Sequence, residues 1–312
     1  MTRLRLVCRE FDGFERSFAH QIEAFQRVYP DVEIRADFLP LEELHRHMLA
    51  ESGAAWGEAD LFLCVTDWLP EAIEGGQILS LDRFLESDPP EGWPEAWSPS
   101  MRGLQSRPEG IYGLPYHDGP EVFLYRRDLF EDPAEQDSFR RKSGRELAPP
   151  RTWDEFVEVA KFFTRPEQGL WGACLAGYPD AHNNVYDFLI HLWSRGGSLL
   201  SEGRSAIRSP EGEEALQFLV DLYHLHRVVD PRCLELDSVA SGMHYAQGHA
   251  AMMWNWSGFA AVAELPGVSQ IVGKNACTLI PGAAGPKGRS VSLNIYWVLT
   301  IPSGSRNIDM AY

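Results

Sequence analysis

The chain has no apolar run approaching the roughly 20 residues that a membrane-spanning helix needs. Residues Met1–Glu10 carry neither a long apolar core nor a small-residue cleavage site, so they do not read as a secretion signal. That leaves two options, an exported chain whose signal has been removed or one that stays in the cytoplasm. Basic residues are scarce: 28 Lys and Arg stand against 45 Asp and Glu, a formal charge of −17. This balance argues against nucleic acid or an anionic membrane surface as the main partner and favours solubility. There are five cysteines, Cys8, Cys64, Cys174, Cys233 and Cys277, with no CxxC and no regular spacing. A metal cage or a disulfide framework is therefore not expected. Cys8 and Cys64 each fall near the end of an expected strand, which leaves a bridge between them open beside two buried free thiols.

Other chemistry is missing too. There is no HExxH, and His45/His47 and His224/His226 are two apart on expected helices, so each pair faces two directions. No Gly-x-Ser-x-Gly elbow occurs. Gly282–Gly288 is rich in glycine but lacks the Gly-Lys-Ser/Thr ending of a phosphate loop and reads as a flexible loop. Internal repeats and low-complexity segments are absent. No metal or cofactor is expected.

What is present is a regular α/β pattern. The length of 312 residues suits one large domain or two smaller ones, and 44% hydrophobic content supplies a core. Leu4–Cys8 reads as a strand. Phe14, Phe18, Ile22, Phe25 and Val28 then mark one face of a helix. Val32, Ile34, Ala36 and Phe38 alternate as in a half-buried strand. Leu41–Leu49 reads as a helix and Asp60–Val65 as a buried strand. This β-α-β-α-β order predicts a parallel sheet whose ligands sit at the carboxyl ends of strands. Glu10–Asp12 and Thr66–Trp68 fall on that rim.

The stretch from Gly110 to Thr164 organises the rest. Val122–Tyr125 is a compact β-prone run, and Asp118-Gly119-Pro120 before it is a turn or hinge signal. Thr152 with Glu155 forms a capping box, and Trp153, Phe156, Val157, Ala160 and Phe163 share the face of the helix that follows. Further on, Gly172–Ala176 reads as a strand and Tyr178–Tyr186 as a polar loop entering a helix at Asp187–Arg195. Ser209-Pro210 opens a helix with Ala215, Leu216, Leu219, Val220 and Tyr223 inward.

The segments Tyr112–Tyr116 (YGLPY), Leu124–Phe130 (LYRRDLF) and Pro150–Phe156 (PRTWDEF), in that order, resemble the extracellular solute-binding proteins that feed ABC importers, in the sugar-binding branch related to maltose-binding protein. Ala72–Asp82, Gly242–Gly258 and Val291–Ile301 extend the resemblance over nearly the whole chain. It implies a two-lobed α/β fold, each lobe a mixed, mainly parallel sheet flanked by helices. Lobe one would be 1–117 with 275–312, lobe two 121–271, and the hinge crossings 118–120 and 272–281. It also implies further helices beyond Tyr312. The implied function is non-catalytic capture of a carbohydrate by hinge closure, followed by delivery to a membrane permease. The implied partners are a mono- or oligosaccharide and the importer. The protein would be a monomer at the periplasmic or extracellular surface. A same-fold receptor for a polyamine or a metal chelate, and a carbohydrate-active enzyme, are the alternatives.

Ten tryptophans are many for this length. An indole can stack on the C–H face of a sugar ring, or simply fill a core. Trp153 and Trp171 read as core; Trp68, Trp254 and Trp256, placed in loops just past strands, are open to either role. Glu10, Asp12, Asp67 and Asp118 are rim carboxylates that would accept bonds from hydroxyls, cap helices, or pair as in a glycosidase. Phe11 and Tyr116 join them as candidate contacts. By the resemblance, Asn184 and Tyr186 fall in the second lobe's contact loop with Asn183, whose other reading is turn chemistry. Asn255 lies beside the two loop tryptophans, and Asn294 and Tyr296 lie near the return crossing.

Overall fold

The computed structural model describes residues 2–50, 57–180 and 182–312. Met1, in the segment tested for a leader, and Ala181, in the expected polar loop, lie outside the described residues. In chain order, the elements that position the site are β1 (Thr2–Arg9), α1 (Asp12–Val28), β2 (Val32–Leu39), β3 (Leu61–Val65), β4 (Leu114–His117) and β5 (Glu121–Arg126). They continue with α2 (Trp153–Phe163), β6 (Trp171–Cys174), α3 (Asn183–Ser194), α4 (Pro210–His224), α5 (Ser238–Ala246), β7 (Ala250–Trp256), β8 (Asn275–Thr278) and β9 (Trp297–Thr300). The chain divides into two compact units, Met1–Asp118 with Ile295–Tyr312, and Gly119–Asn294.

In the first unit the sheet runs β2-β1-β3-β9-β4. β1 is parallel to β2 along its length and parallel to β3 through Leu6–Leu61 and Val7–Phe62. β9 returns antiparallel between β3 and β4. Leu6, Val7, Phe62, Leu63 and Val298 are buried here, and Phe14 and Phe18 of α1 pack against them. The register settles the first cysteine pair. One step beyond Val7–Phe62, Cys8 stands opposite Leu63, so Cys64 is one residue further along its strand. Strand side chains alternate between faces, and the two thiols therefore point to opposite sides of the sheet. Both are buried and free.

The second unit holds the sheet β8-β5-β7-β6. β7 is parallel to β6 and antiparallel to β5, and β8 is antiparallel to β5. Antiparallel pairings prevail here, whereas the resemblance implies a mixed, mainly parallel sheet in each lobe. Asn275–Thr278 pairs with Phe123–Arg126, which keeps residues 275–294 with this unit; the chain leaves it only after Asn294. The resemblance put that return at 272–281, around Ile280-Pro281 and ahead of the glycine-rich loop.

Helix α2 starts where its cap is. Thr152 Oγ1 accepts the Glu155 N–H at 3.2 Å, while the Glu155 carboxylate accepts the Arg151 N–H at 2.8 Å. Its buried face is Trp153, Phe156, Val159, Ala160 and Phe163. It lies so close to β6 that a Cβ on Gly172 would come within 2.2 Å of the Ala160 carbonyl oxygen; only glycine allows that approach. α4 turns Gly212, Ala215 and Leu222 inward, and Leu216 and Val220, expected inside, are exposed.

Candidate functional site

The second unit gathers a group of polar and aromatic side chains on one face of its sheet. Glu121 stands opposite Trp256 and Phe123 opposite Trp254 across the β5–β7 pair. Directly opposed residues share a face, so the acid and both indoles lie on the same side. Helix α3 covers that side. Trp254 Nε1–H donates to Asp187 Oδ1 at 2.8 Å, and Trp256 Nε1–H donates to Asn183 Oδ1 at 3.3 Å. Asn183 and Asp187 are four apart and so lie along one helical stripe. The helix begins at Asn183, four residues before the expected start, because Asp180 Oδ1 accepts the N–H groups of His182 and Asn183.

Glu121 is buried, and neither of its carboxylate oxygens has a hydrogen-bond partner. Burial, with the negative charge of Asp187 added, holds this carboxyl well above its usual range. Burial likewise pushes Asp187 up to about 7, against the opposing pull of the Trp254 hydrogen bond. Two more acceptors in this unit are unpartnered and inaccessible, Asn184 Oδ1 and Asn294 Oδ1. The segment carrying Asn294 runs along the start of β5: the Glu121 N–H donates to the Leu293 carbonyl at 3.0 Å, and Ser292 Oγ donates to the Glu121 carbonyl at 2.6 Å. The chemistry here is acceptor-rich. It suits a molecule that brings hydroxyl or ammonium donors.

The other expected residues of this unit are more deeply placed than loop residues would be. Trp254, Asn255 and Trp256 belong to strand β7 itself. Trp254 is a core side chain with its ring against Trp153, Phe156 and His191. Asn255 is buried and bonded, its amide donating to the Ser238 carbonyl and Ser241 Oγ while its own oxygen accepts the Trp256 N–H. Tyr186 is buried, with its hydroxyl 3.1 Å from His182 Nδ1 and its ring edge-on to Trp256. Trp256, half-buried, is the indole that keeps accessible surface.

In the first unit the rim forms at the ends of β1 and β3. Glu10 and Asp12 are exposed after β1, and Asp67 is exposed after β3. Asp12 pairs with Arg16 at 3.0 Å one helical turn on, the bland reading of that acid. Half-buried Phe11 packs edge-on to Phe14, whose ring also meets Trp297. Trp68 is largely buried, edge-on to Trp297 and to His45. The Arg9 guanidinium lies 5.9 Å from the centre of the Trp297 ring. Tyr116 stacks on Phe18 and bonds Ser17, turned to α1. Asp118 is exposed. Tyr296 is a core residue here: its hydroxyl donates to Gln105 Oε1 and accepts the Leu104 N–H. It therefore belongs to the first unit and Asn294 to the second.

Sequence reasoning missed four residues, Glu121, Asp187, Arg9 and Trp297. A signal existed for two of them. Glu121 is an acid at the head of a buried apolar strand, and Asp187 sits among Tyr186, Leu189 and Ile190 on an apolar helix. Among the described residues no group of three or more His, Cys, Asp or Glu side chains could hold a metal ion.

Comparison with known proteins gives a consistent answer. The family model described as "Bacterial extracellular solute-binding protein" matches residues 12–312. An arabinooligosaccharide-binding protein of Halalkalibacterium halodurans is 22% identical over 217 residues, 68% of this chain and 44% of that protein. A mannitol-binding protein of Pseudomonas aeruginosa is 26% identical over 160 residues, 50% of this chain and 32% of that one. The chain thus spans less than half the length of these curated relatives. Among solved structures, maltose-bound MalE3 of T. maritima superposes with a TM-score of 0.84 at 26% identity, covering 100% of this chain and 75% of the other. A solute-binding protein of Agrobacterium vitis with bound D-mannitol also gives 0.84, at 21% identity, over 100% and 71% of the two chains. The fold is the two-lobed α/β fold of these binding proteins, and the chain belongs to the bacterial extracellular solute-binding protein family.

Proposed function

We propose that this chain captures a carbohydrate or polyol outside the cytoplasm and presents it, unchanged, to the membrane permease of an ABC importer. The observation that carries the reading is the acceptor-rich floor of the second unit, Glu121 and Asp187, set beside the accessible indole of Trp256. Buried oxygens without partners, here those of Glu121, are costly until donors reach them, and vicinal hydroxyls supply donors while a ring's C–H face lies on the indole. The family match and the sugar- and polyol-binding relatives support the same reading.

In this reading Glu10, Phe11, Asp67 and Trp68 recognise ligand from the first unit, and Trp256, Asn184 and Asn294 do so from the second. Trp254, Asn255 and Tyr186 act beneath them by holding the strand and helix in place. The passages between units, at Asp118–Gly119 and Asn294–Ile295, serve as the hinge. Ligand that interacts better with the closed form draws the equilibrium to it. The receptor works as a monomer and needs no cofactor.

A second reading, a receptor for a polyamine, is favoured by one specific feature. The carboxylate oxygens of Glu121 carry no partner, and an ammonium is a pure donor. Thermal-shift screening of mannitol, maltose, arabino-oligosaccharides, spermidine and putrescine separates the two, because a ligand bound only by the folded state raises the melting temperature. Stabilisation by sugars or polyols alone supports the first reading. Stabilisation by polyamines alone replaces it. Release of a shortened or altered sugar from the bound state would mark an enzyme instead.

A further inference from the structure

Cys174 closes β6, and Cys233 lies in the short turn of helix Pro231–Glu235. Both are fully buried in the second unit, and their sulfur atoms are 3.6 Å apart although the residues are 59 apart in sequence. That closeness is held by backbone. The Ala173 N–H donates to the Val228 carbonyl at 3.0 Å, the Gly177 N–H to the Cys233 carbonyl at 2.9 Å, and the Tyr178 N–H to the Leu236 carbonyl at 3.0 Å. Gly177 admits no side chain, because a Cβ there would stand 2.8 Å from both the Cys233 carbonyl and the Tyr223 hydroxyl. The strand end and the turn are thus tied on both sides of the two thiols. A sulfur–sulfur bond is about 2.05 Å long, so side-chain rotation on a fixed backbone has only about 1.5 Å to close. The remaining cysteines offer nothing similar. Cys8 and Cys64 point to opposite faces of the other unit's sheet, and Cys277 is exposed on β8.

We propose that Cys174 and Cys233 are joined by a disulfide in the exported protein, formed while the chain folds. The proposal rests on the extracytoplasmic location read above, since disulfides persist in oxidising compartments. Formation consumes one external disulfide, a small-molecule or protein disulfide oxidant. The Cys233 thiolate attacks one sulfur of that oxidant, and the other sulfur leaves as a thiolate and takes a proton. Cys174, deprotonated to solvent, then attacks the Cys233 sulfur and expels the second oxidant thiolate. Two S–H bonds are replaced by one S–S bond, and the oxidant ends as two thiols.

The bond would lie under the site. Cys174 Sγ is 3.4 Å from the Ser241 carbonyl on α5, and Ser241 Oγ is one of the acceptors that fix Asn255 in β7. A cross-link there stiffens the base of the strand that carries Trp256.

The test is refolding of the reduced, denatured full chain in a mixture of reduced and oxidised glutathione. Trapping with an alkylating agent and non-reducing peptide mapping follow. The expected result is one linked peptide pair containing Cys174 and Cys233, with Cys8, Cys64 and Cys277 alkylated. The oxidised protein should melt on the order of 10 °C above its reduced form. C174S and C233S should each lose that gap, while C8S keeps it. Recovery of both thiols alkylated, linkage through other cysteines, or an oxidised form that melts no higher than the reduced one overturns the proposal. The assay needs neither ligand nor importer, so its failure is distinct from a failure of the functional reading.

Discussion

Replacing Asp187 by Asn isolates the cost of ionising a carboxyl beneath the proposed binding face. Burial holds this acid at about 7, against 3.8 in an open chain. At one pH unit per 1.36 kcal/mol, the ionised form is about 4 kcal/mol less favourable in the fold than in the unfolded chain. The sign follows from proton counting. Below pH ~4 the acid is protonated in both states and costs nothing. Between roughly 4 and 7 the unfolded chain has shed the proton and the folded chain still holds it, so stability falls as pH rises. Above 7 the full penalty stands. The amide side chain of the D187N variant would keep a carbonyl oxygen for the Trp254 Nε1–H, a bond of 2.8 Å in the wild type. Its NH₂ group could donate toward Glu121, whose oxygens have no partner and whose carboxyl is held up by burial and by the charge of Asp187. Urea unfolding of the unliganded wild type and D187N, run from pH 4.5 to 8.5, reads the effect. The variant should gain on the wild type as pH rises, by up to about 4 kcal/mol at pH 8. Shifts common to both proteins cancel in the difference. Parallel pH profiles, or a variant less stable at pH 8, would refute the placement of Asp187 as a buried acid under charge repulsion.

Trp256→Ala should weaken ligand binding more than tenfold by calorimetry, at most modestly changing the melting temperature, because its indole is the accessible one; unchanged affinity would remove it from the site. Tyr296→Phe strands the Gln105 oxygen and the Leu104 N–H in the first unit and should cost about 1–3 kcal/mol in urea with ligand affinity nearly unchanged. A marked loss of affinity would instead return Tyr296 to the ligand surface. Gly172→Ala drives a methyl into the Ala160 carbonyl and should destabilise by about 1–3 kcal/mol, read by the shift of the urea midpoint. Thr152→Ala removes the cap of α2 and should cost about 1 kcal/mol in the same assay.

How much of this was legible in the sequence depends on whether local chemistry or tertiary pairing decides the outcome. The capping box at Thr152 is local: a hydroxyl and a carboxylate placed three apart find the amides of their own helix start. The apolar runs of β1, β3 and β5 are local in the same sense, and they were readable. The limits of β7 are not local. Trp254-Asn255-Trp256 follows Ala250–Met253 and reads as the loop after a strand, yet β5 on one side keeps pairing as far as Glu121–Trp256. That extension puts Trp254 under α3 and makes it a core residue, and it leaves Trp256 as the residue of the pair with accessible surface. The same pairing hides Glu121. In sequence it is one more acid at a strand end, and only the register with β7 and the stripe Asn183–Asp187 on α3 show that it faces another acid in the interior. The return crossing was misplaced for a related reason. The resemblance placed it at 272–281, just before glycines that read as a flexible loop, but the Gly282 N–H and carbonyl are bonded to Arg151 and Trp153 at the start of α2, so this loop is pinned to the second unit.

These misplacements share a direction, and it bears on function. Trp254, Asn255 and Tyr186 were candidate ligand contacts and are buried, bonded residues, while in the proposed reading the acids that no motif announces, Glu121 and Asp187, form the floor of the site. A carbohydrate site needs two different things from its residues. It needs rigidity, which comes from buried aromatics and saturated hydrogen bonds, and it needs unmet acceptors, which destabilise the fold until a ligand supplies donors. Aromatic and amide residues advertise the first in a sequence, because they are conspicuous and their spacing is regular. The second is a property of isolation in the folded state, which a sequence records only as a charged residue in an apolar run. Glu121 ahead of Val122–Tyr125 is of that kind, and Asp187 within α3, which accepts the Trp254 Nε1–H, adds its charge beside it. In the proposed reading the first residue to test for ligand contact is therefore the acid that interrupts an apolar strand, before the tryptophan that stands beside it.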